Sequence, residues 1–393
     1  TRGILLPKFT EAERDLINTP DTGTLIFQTD GDEGFYYYDS ADWVKVGAGG
    51  GTTYTGTAPV VVTGSVVSLD NSVVVKVDTI ATLQSYAGLA NTIIVKDVLR
   101  GGTFHYYSSG THDGGINFTA TGKGSGIWTR QFEKSSPLNV MWWGAKGDNT
   151  TDDHDILQFV IDYAITNQST TNKVYFPAGN YSIAAPLILY KWTGTAYSQV
   201  AISLIGESSY AANGVTNIKP TYKDTFAIGI QQGKGVSIRD ISIVGKFTLP
   251  TQTTYQFYTT DFAAFVDVTC RDTQYSPYSG IVIDPFSNSS SNVPSDGGYP
   301  GLNSYYRGTG GQSGSTGTSL MNVSISNFTV GIMSSPNGVT RNAELSRFEK
   351  ITIANCKLGF AGSQDQEKTC IINHVKSWGT THTLFSTSVY GTG

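Results

Sequence analysis

Charge, sulfur and long apolar runs are all scarce in this chain of 393 residues. Only 15% of the residues are charged and the net charge is -5. No basic cluster stands out, so a nucleic-acid partner is not expected. No apolar run approaches the roughly 20 residues of a membrane span, so no membrane partner is expected either. No signal peptide is visible. The three cysteines, Cys270, Cys356 and Cys370, are an odd count without metal-ligand spacing. They read as buried free thiols, which suits assembly in a reducing cytoplasm. The histidines form no H-x-x-H group; His105, His112, His154 and His382 each read as turn or surface residues. No metal and no cofactor is therefore expected.

Glycine is abundant, at 45 residues, and aromatic residues reach 12%. With many Thr, Ser and Asn and few helical patterns, this composition points to a β-rich extracellular or virion protein. One helix does stand out. Ile156, Leu157, Val160, Ile161, Ala164 and Ile165 share one face at a 3.6-residue period. Ahead of it, Thr151 and Asp152 are placed to accept hydrogen bonds from the first free helical N–H groups. Asp152, Asp153 and Asp155 put negative charge at the positive end of the helix dipole. After the polar run 167–172 comes a strand from Lys173 to Phe176, with Val174 and Phe176 on one face. Pro177 and Gly179 then force a turn.

The order Trp143-Gly144-Ala145-Lys146-Gly147-Asp148, Thr151-Asp152-Asp153 and Val174-Tyr175-Phe176-Pro177-Ala178-Gly179-Asn180-Tyr181 resembles the entry module of pectate-lyase-like right-handed parallel β-helices. That module is found in phage tailspikes and in polysaccharide-active enzymes. The resemblance implies an all-β chain in which small N-terminal β-domains precede a β-helix. It makes the helix a lid over the first coil, whose strand edges would otherwise be open. The aspartates are then cap and turn residues, and any chemistry lies downstream.

Four segments are expected. Residues 1–47 run from Gly3-Ile4-Leu5-Leu6-Pro7 through a capped helix at 10–15 to aromatic strands. They resemble an N-terminal module of phage tail fibres, which implies virion attachment or trimerisation, with a small β-meander of no special role as the alternative. Residues 48–79 combine a glycine joint with β-branched strands too short to bury themselves. This run resembles trimeric β-linkers, with a lone hairpin as the alternative. Residues 80–135 resemble the small β-domain that precedes the β-helix in tailspikes. Its elements include Gly126-Ile127-Trp128-Thr129-Arg130, and its His112-Asp113 pair reads as a turn.

Residues 136–393 read as β-helix coils. An alternating apolar pattern around a turn residue recurs at Val236–Ile243, Val323–Val330 and Ile351–Leu358, and in degraded form at Cys370–Ser377. Asp240, Asn327, Asn355 and His374 occupy the bends, where Asn and Asp tolerate a left-handed backbone. The gap between Asp240 and Asn327 is too long for one coil, which implies an insertion near 246–319. Loops of that length are usually functional or disordered.

Glycosidic hydrolysis needs two facing carboxyl groups, and elimination needs a base. The candidate catalytic acids are Asp267, Asp272, Asp284 and Glu344. Arg271, Tyr275, Tyr278, Tyr299 and Tyr305 are candidates for contacting a sugar. Asp267 and Arg271 read equally as a surface pair, and Asp284-Pro285 as a turn. Parity near Glu349 is ambiguous, because it matches that of the apolar Ile351. Together these resemblances imply a homotrimeric phage tail protein, a tailspike or tail fibre, located in the virion and assembled in the bacterial cytoplasm. Its partners would be host cell-surface polysaccharide and other virion tail proteins. Depolymerisation of that polysaccharide stays open, as does a purely structural virion component with a non-catalytic β-helix. A cellular polysaccharide lyase or hydrolase is disfavoured by the fibre-like N-terminal segments. The abrupt start at Thr1 suggests a processed or excerpted chain.

Overall fold

The computed structural model describes residues 6–46, 60–63, 66–69, 75–191, 198–210, 214–223, 225–246, 279–285, 314–334, 345–356, 358–362, 371–378 and 383–387. They fall into two compact units, Thr1–Val75 and Lys76–Gly393.

In the first unit, Lys8–Phe9, Leu25–Gln28, Gly34–Tyr38 and Trp43–Lys45 form a four-stranded sheet in that order. The helix Glu11–Asp15 opens with a full capping box between Thr10 and Glu13, as the Thr-x-x-Glu spacing requires. Arg14 donates to Gln28 at 2.5 Å and lies over the Tyr36 ring at 5.2 Å. Val60–Thr63 and Val66–Leu69 make an antiparallel hairpin, and among the described residues it pairs with no other strand.

The second unit starts with a five-stranded sheet whose last strand is Val75–Val77, so this sheet begins inside the stretch that reads as linker. Leu83, Ile93, Phe104 and Trp128 fill its core at 0% exposure. Asp113 is a turn residue, as its setting suggests. Its carboxylate accepts from the backbone of Gly115, Ile116 and Asn117 at 2.8–2.9 Å. Arg130, at the end of the Gly-x-Trp-x-Arg element, is 4% exposed. Its guanidinium donates to the carbonyls of Gly115, Gly101 and Arg100. It is also stacked near Phe104 (4.6 Å) and Trp142 (4.7 Å). Burial, helped by the neighbouring Arg100 charge, pulls its pKa down to about 10. Trp142 belongs to the β-helix entry, so this side chain joins the small domain to the coils. Gly115 serves the same joint: a Cβ there would sit 2.1 Å from the Trp143 ring.

The rest of the unit is a parallel β-helix with three sides. The first side stacks Leu138–Asn139, Lys173–Phe176, Ser203–Gly206, Ser237–Arg239, the front halves of Ser319–Ser326 and Arg347–Ala354, and Ile371–Asn373. The second stacks Asp148–Asp152, Gly179–Ile183, Thr216–Pro220, Ser242–Val244, the back halves of the same two long strands, and Lys376–Trp378. The third stacks Leu187–Leu189, Ile228–Ile230, Ser279–Ile283, Val330–Ser334, Leu358–Gly362 and Thr383–Thr387. Every pairing is parallel, and one continuous apolar core runs from Ile116 in the small domain through the coils to Phe360.

All four expected bend residues have left-handed backbones: Asp240 (φ 59), Asn327 (φ 63), Asn355 (φ 53) and His374 (φ 52). They do not form one column, however. Asp240 and His374 stand with Asn322 (φ 52) and Lys350 (φ 53) between the first and second sides. Asn327 and Asn355 stand one strand later, after the second side, and there the spacing of 28 residues is a true coil. The step from Asn355 to His374 is not a coil repeat. The same geometry settles the parity at Glu349. Lys350 turns the strand, so Phe348 and Ile351 both point inward and Glu349 does not.

Ser237–Arg239 pairs directly with Ser319–Met321. The 82 residues from Asp240 to Asn322 therefore close a single coil. Its third-side strand, Ser279–Ile283, lies between the two stretches 247–278 and 286–313, so the excess length is split rather than forming one insertion.

The helix His154–Thr166 packs on the strands Leu187–Leu189, Lys173–Phe176 and Gly179–Ile183. Leu157, Val160, Ile161, Ala164 and Ile165 are buried, and Ile156 packs at the margin. Leu187–Leu189 is the first strand of the third side, so its outer edge would be open. Gln158 closes it by accepting from Ile188 N (2.8 Å) and donating to Ile188 O (2.9 Å). Gln168 does the same for the backbone N of Ala201, at 2.9 Å. The lid therefore satisfies backbone edge groups as well as covering apolar side chains.

At the helix start Asp152 accepts from the first helical N–H as the sequence suggests, whereas Thr151 does not. Asp153 holds the N-cap position, but its side chain caps nothing. It turns back to accept from Lys146 N (2.7 Å) and Gly147 N (3.0 Å). Gly147, at φ +59, gives that turn a left-handed step with no room to spare beside the Tyr181 ring. Asp152 accepts from His154 N and from Ala184 N in the first coil. Thr151 lies in the strand Asp148–Asp152 and does not cap. His154 is also not a surface residue: it is 3% exposed, with Nδ1 2.8 Å from Asp155.

Candidate functional site

The β-helix positions candidate residues by where its strands release the chain. Asp267, Arg271, Asp272, Tyr275 and Tyr278 precede the strand Ser279–Ile283 in sequence, and Tyr299 and Tyr305 follow it. Glu344 follows Val330–Ser334, the neighbouring strand on the third side. These eight residues lie outside the described residues, as do Cys270 and Cys370. What they share is a topological address: each belongs to a stretch that leaves or re-enters one of two adjacent third-side strands. Both faces of those two strands are buried, from Ser279 to Ile283 and from Val330 to Ser334.

Asp284 is the one candidate acid within the described residues. It is 0% exposed and has a left-handed backbone (φ 55). Its Oδ2 accepts from Ser315 N (2.6 Å), and its Oδ1 accepts from the Ser315 hydroxyl (2.8 Å) and from Gln232 N (3.1 Å). The Ser315 hydroxyl in turn accepts from Gly233 N at 2.9 Å. Lys234 Nζ donates to Gly314 O and lies 2.9 Å from the Thr316 hydroxyl. Thus 284 and 315, the two ends of the 286–313 stretch, are tied together and to the preceding coil. Three charge-assisted donors on one carboxylate make a strong anchor. The arrangement is that of a turn held by its acid.

Two groups on the outer surface of the early coils were not legible as a pair in the sequence. The Tyr175 hydroxyl donates to the Glu207 carboxylate. Burial, reinforced by that hydrogen bond and by the Glu207 charge, pushes the Tyr175 pKa up to about 12. Tyr210, three residues further on, is 74% exposed. Ser209 donates to Asn322 Oδ1, and Asn322 Nδ2 donates to Asp240 Oδ1 at 2.7 Å. The only sequence signal for this cluster is strand parity, which turns Tyr175 outward while Val174 and Phe176 point inward. Among the described residues no group of three or more His, Cys, Asp or Glu gathers in a way that could hold a metal ion.

Residues 1–59 match the family described as phage tail like trimerisation region. Residues 138–213 match the family described as rhamnogalacturonase A/epimerase, pectate lyase-like. No curated protein sequence matches the chain. Among solved structures, the chain is similar to tailspike protein gp49 of Acinetobacter baumannii bacteriophage Fri1, a capsular polysaccharide depolymerase. The identity is 13% and the TM-score 0.40, covering 75% of this chain and 46% of that one. It is also similar to the enzymatically active domain of tailspike protein 2 from bacteriophage CBA120, at 14% identity and a TM-score of 0.36, covering 77% and 40%. A third is the tailspike protein of Acinetobacter baumannii phage AM24, at 10% identity and a TM-score of 0.31, covering 76% and 55%. The chain spans 46% and 40% of the first two, less than half of each. It thus combines a phage tail-like trimerisation region with a pectate-lyase-like β-helix.

Proposed function

We propose that this chain is part of a homotrimeric phage tail protein whose β-helix binds a polysaccharide on the host surface. The observation that carries the reading is the pairing of a tail-type trimerisation region with a parallel β-helix in one polypeptide. A trimer presents three copies of each coil surface, which raises avidity for a repeating polymer without any new contact. In this reading the N-terminal part meets other virion tail proteins, and the stretches released at Ser279–Ile283 and Val330–Ser334 meet the sugar. Tyr275, Tyr278, Tyr299 and Tyr305 supply aromatic faces and Arg271 a hydrogen-bonding fork. Asp267, Asp272 and Glu344 are the carboxylates that would serve if the polymer is also cleaved.

The test uses the purified chain and capsule or lipopolysaccharide from a host that its phage infects. Binding is followed by co-sedimentation. Cleavage is followed by new reducing ends and by the ultraviolet absorbance of unsaturated uronates. Retention of the polymer supports the proposal, and products of either kind extend it to a depolymerase. No retention and no product with a confirmed host polymer would leave a structural tail component.

A further inference from the structure

The N-terminal sheet wears its large apolar side chains on the uncovered side. Leu25 pairs with Tyr37, Tyr37 with Val44, and Phe27 with Phe35. Strand alternation puts these five on one face, and Ile26, Gln28 and Tyr36 on the other. The second face is closed by Arg14 of the short helix, which reaches both Gln28 and the Tyr36 ring. The first face is open: Phe35 is 47% exposed, and Leu25 and Tyr37 are 38% exposed. Phe27 and Phe35 meet edge to face at 5.0 Å. Of the residues aligned on this face only Lys8 is charged, with its Nζ 6.0 Å from the centre of the Phe27 ring.

Two further facts say what belongs there. The buried hydrophobic residues described in this unit are Ile26 and Tyr36. That is too small a core for a free-standing unit, since very small domains need oligomerisation or staples. The neighbouring hairpin of Val60–Thr63 and Val66–Leu69 is a two-stranded pair, a form that is marginal alone in water. The open apolar face amounts to roughly 300 Å², taking a large aromatic side chain as about 200 Å². That is the size of a functional patch, but below the roughly 800 Å² per partner of a stable interface. Among the described residues the hairpin pairs with no strand of this sheet. We infer that the Leu25–Phe27–Phe35–Tyr37–Val44 face is the surface on which three copies of this chain meet. The inference rests on the trimeric reading above and names its contact surface.

The test uses the whole chain. Sedimentation velocity should give a trimer for the wild type and for the control Leu16→Lys, whose site is exposed on the helix side of the unit. Phe35→Lys and Tyr37→Lys should each raise the trimer dissociation constant at least tenfold. Hydroxyl-radical footprinting of the wild type, which needs no variant, should show Phe35 and Tyr37 protected while Leu16 is labelled. A wild-type trimer in which Phe35 and Tyr37 label as readily as Leu16, or in which both lysine variants stay fully trimeric, would overturn this face. A wild-type monomer would overturn trimerisation itself. Polysaccharide retention, measured separately, tests the binding reading in either case.

Discussion

The carboxylate of Asp284 holds Ser315 by both its backbone N–H and its hydroxyl, at 2.6 and 2.8 Å, across 31 residues of sequence. The contact is fully buried and lies where the chain leaves the third side and returns ahead of the first-side strand Ser319–Ser326. Removing the acid would leave buried donors on Ser315 and Gln232 without their acceptor. Asp284→Ala is expected to cost on the order of 3 kcal/mol, and Asp284→Asn somewhat less, because the amide keeps one acceptor oxygen. Thermal denaturation checks this. An Asp284→Asn variant that melts with the wild type but loses polysaccharide cleavage would instead make this acid catalytic.

The turn at Asp148 predicts a specific acid response. Its carboxylate accepts from Thr151 N, Thr150 N and the Thr151 hydroxyl. These bonds, led by the Thr151 backbone, hold its pKa well below the usual carboxylate range. A depressed folded-state pKa means stabilisation that is complete above the unfolded value of about 4 and is lost as pH falls further. The difference in melting temperature between wild type and Asp148→Asn should therefore be present at pH 7 and shrink below pH 4. A gap that is unchanged at pH 2.5 would refute this assignment.

Lys350 and His374 take left-handed backbones at bends that Asp240 and Asn322 serve better. A left-handed backbone costs an ordinary L-residue roughly 1–2 kcal/mol, less for Asn. Lys350→Asn should therefore stabilise the β-helix by about 0.5–1 kcal/mol, read as a higher denaturation midpoint. It also restores an amide beside Asn322 in the column.

Cys356 is fully buried, and its Sγ lies 3.4 Å from the Ala354 carbonyl. Desolvation pushes its thiol pKa up to about 12. In a chain carrying Cys270→Ser and Cys370→Ser, the remaining thiol should ignore Ellman's reagent at pH 8 and react fully once guanidinium unfolds the coils. Stoichiometric reaction of the folded chain would contradict the packing.

Where local physics was enough, the sequence was readable. The helix face at 156–165, the left-handed bends and the inward parity of Val236, Ile238, Ile241 and Ile243 all follow from periods and turn chemistry. What failed was register. Asn327 looks like Asp240 in its local pattern, yet the true coil partner of Asp240 is Asn322. Nothing within eight residues distinguishes one bend column from the next, and only the stacking of Ser237 on Ser319 decides it. The aspartates at 148–153 were legible as cap and turn residues. Which N–H each one held was not, because Asp152 reaches Ala184 and Asp153 reaches back to Lys146. For the candidate site, Asp284 follows a strand whose alternation sets it opposite in parity to Ile281 and Ile283. Its left-handed backbone breaks that alternation, and the buried carboxylate holds Ser315. The Tyr175–Glu207 pair was hidden because its partners are brought together only by the stacking of successive coils.

The direct pairing of Ser237–Arg239 with Ser319–Met321 uncouples the length of the intervening chain from the architecture. The rungs on either side already touch, so their pairing fixes no length for residues 247–278 or 286–313, and lengthening a flexible connection there would add loop-closure entropy. That entropy grows as the logarithm of length, about 0.6 kcal/mol per doubling. The scaffold can therefore carry stretches of very different size and sequence at this address while every other coil keeps its partners. A lineage under pressure to meet a changing target could remodel those stretches without refounding the fold.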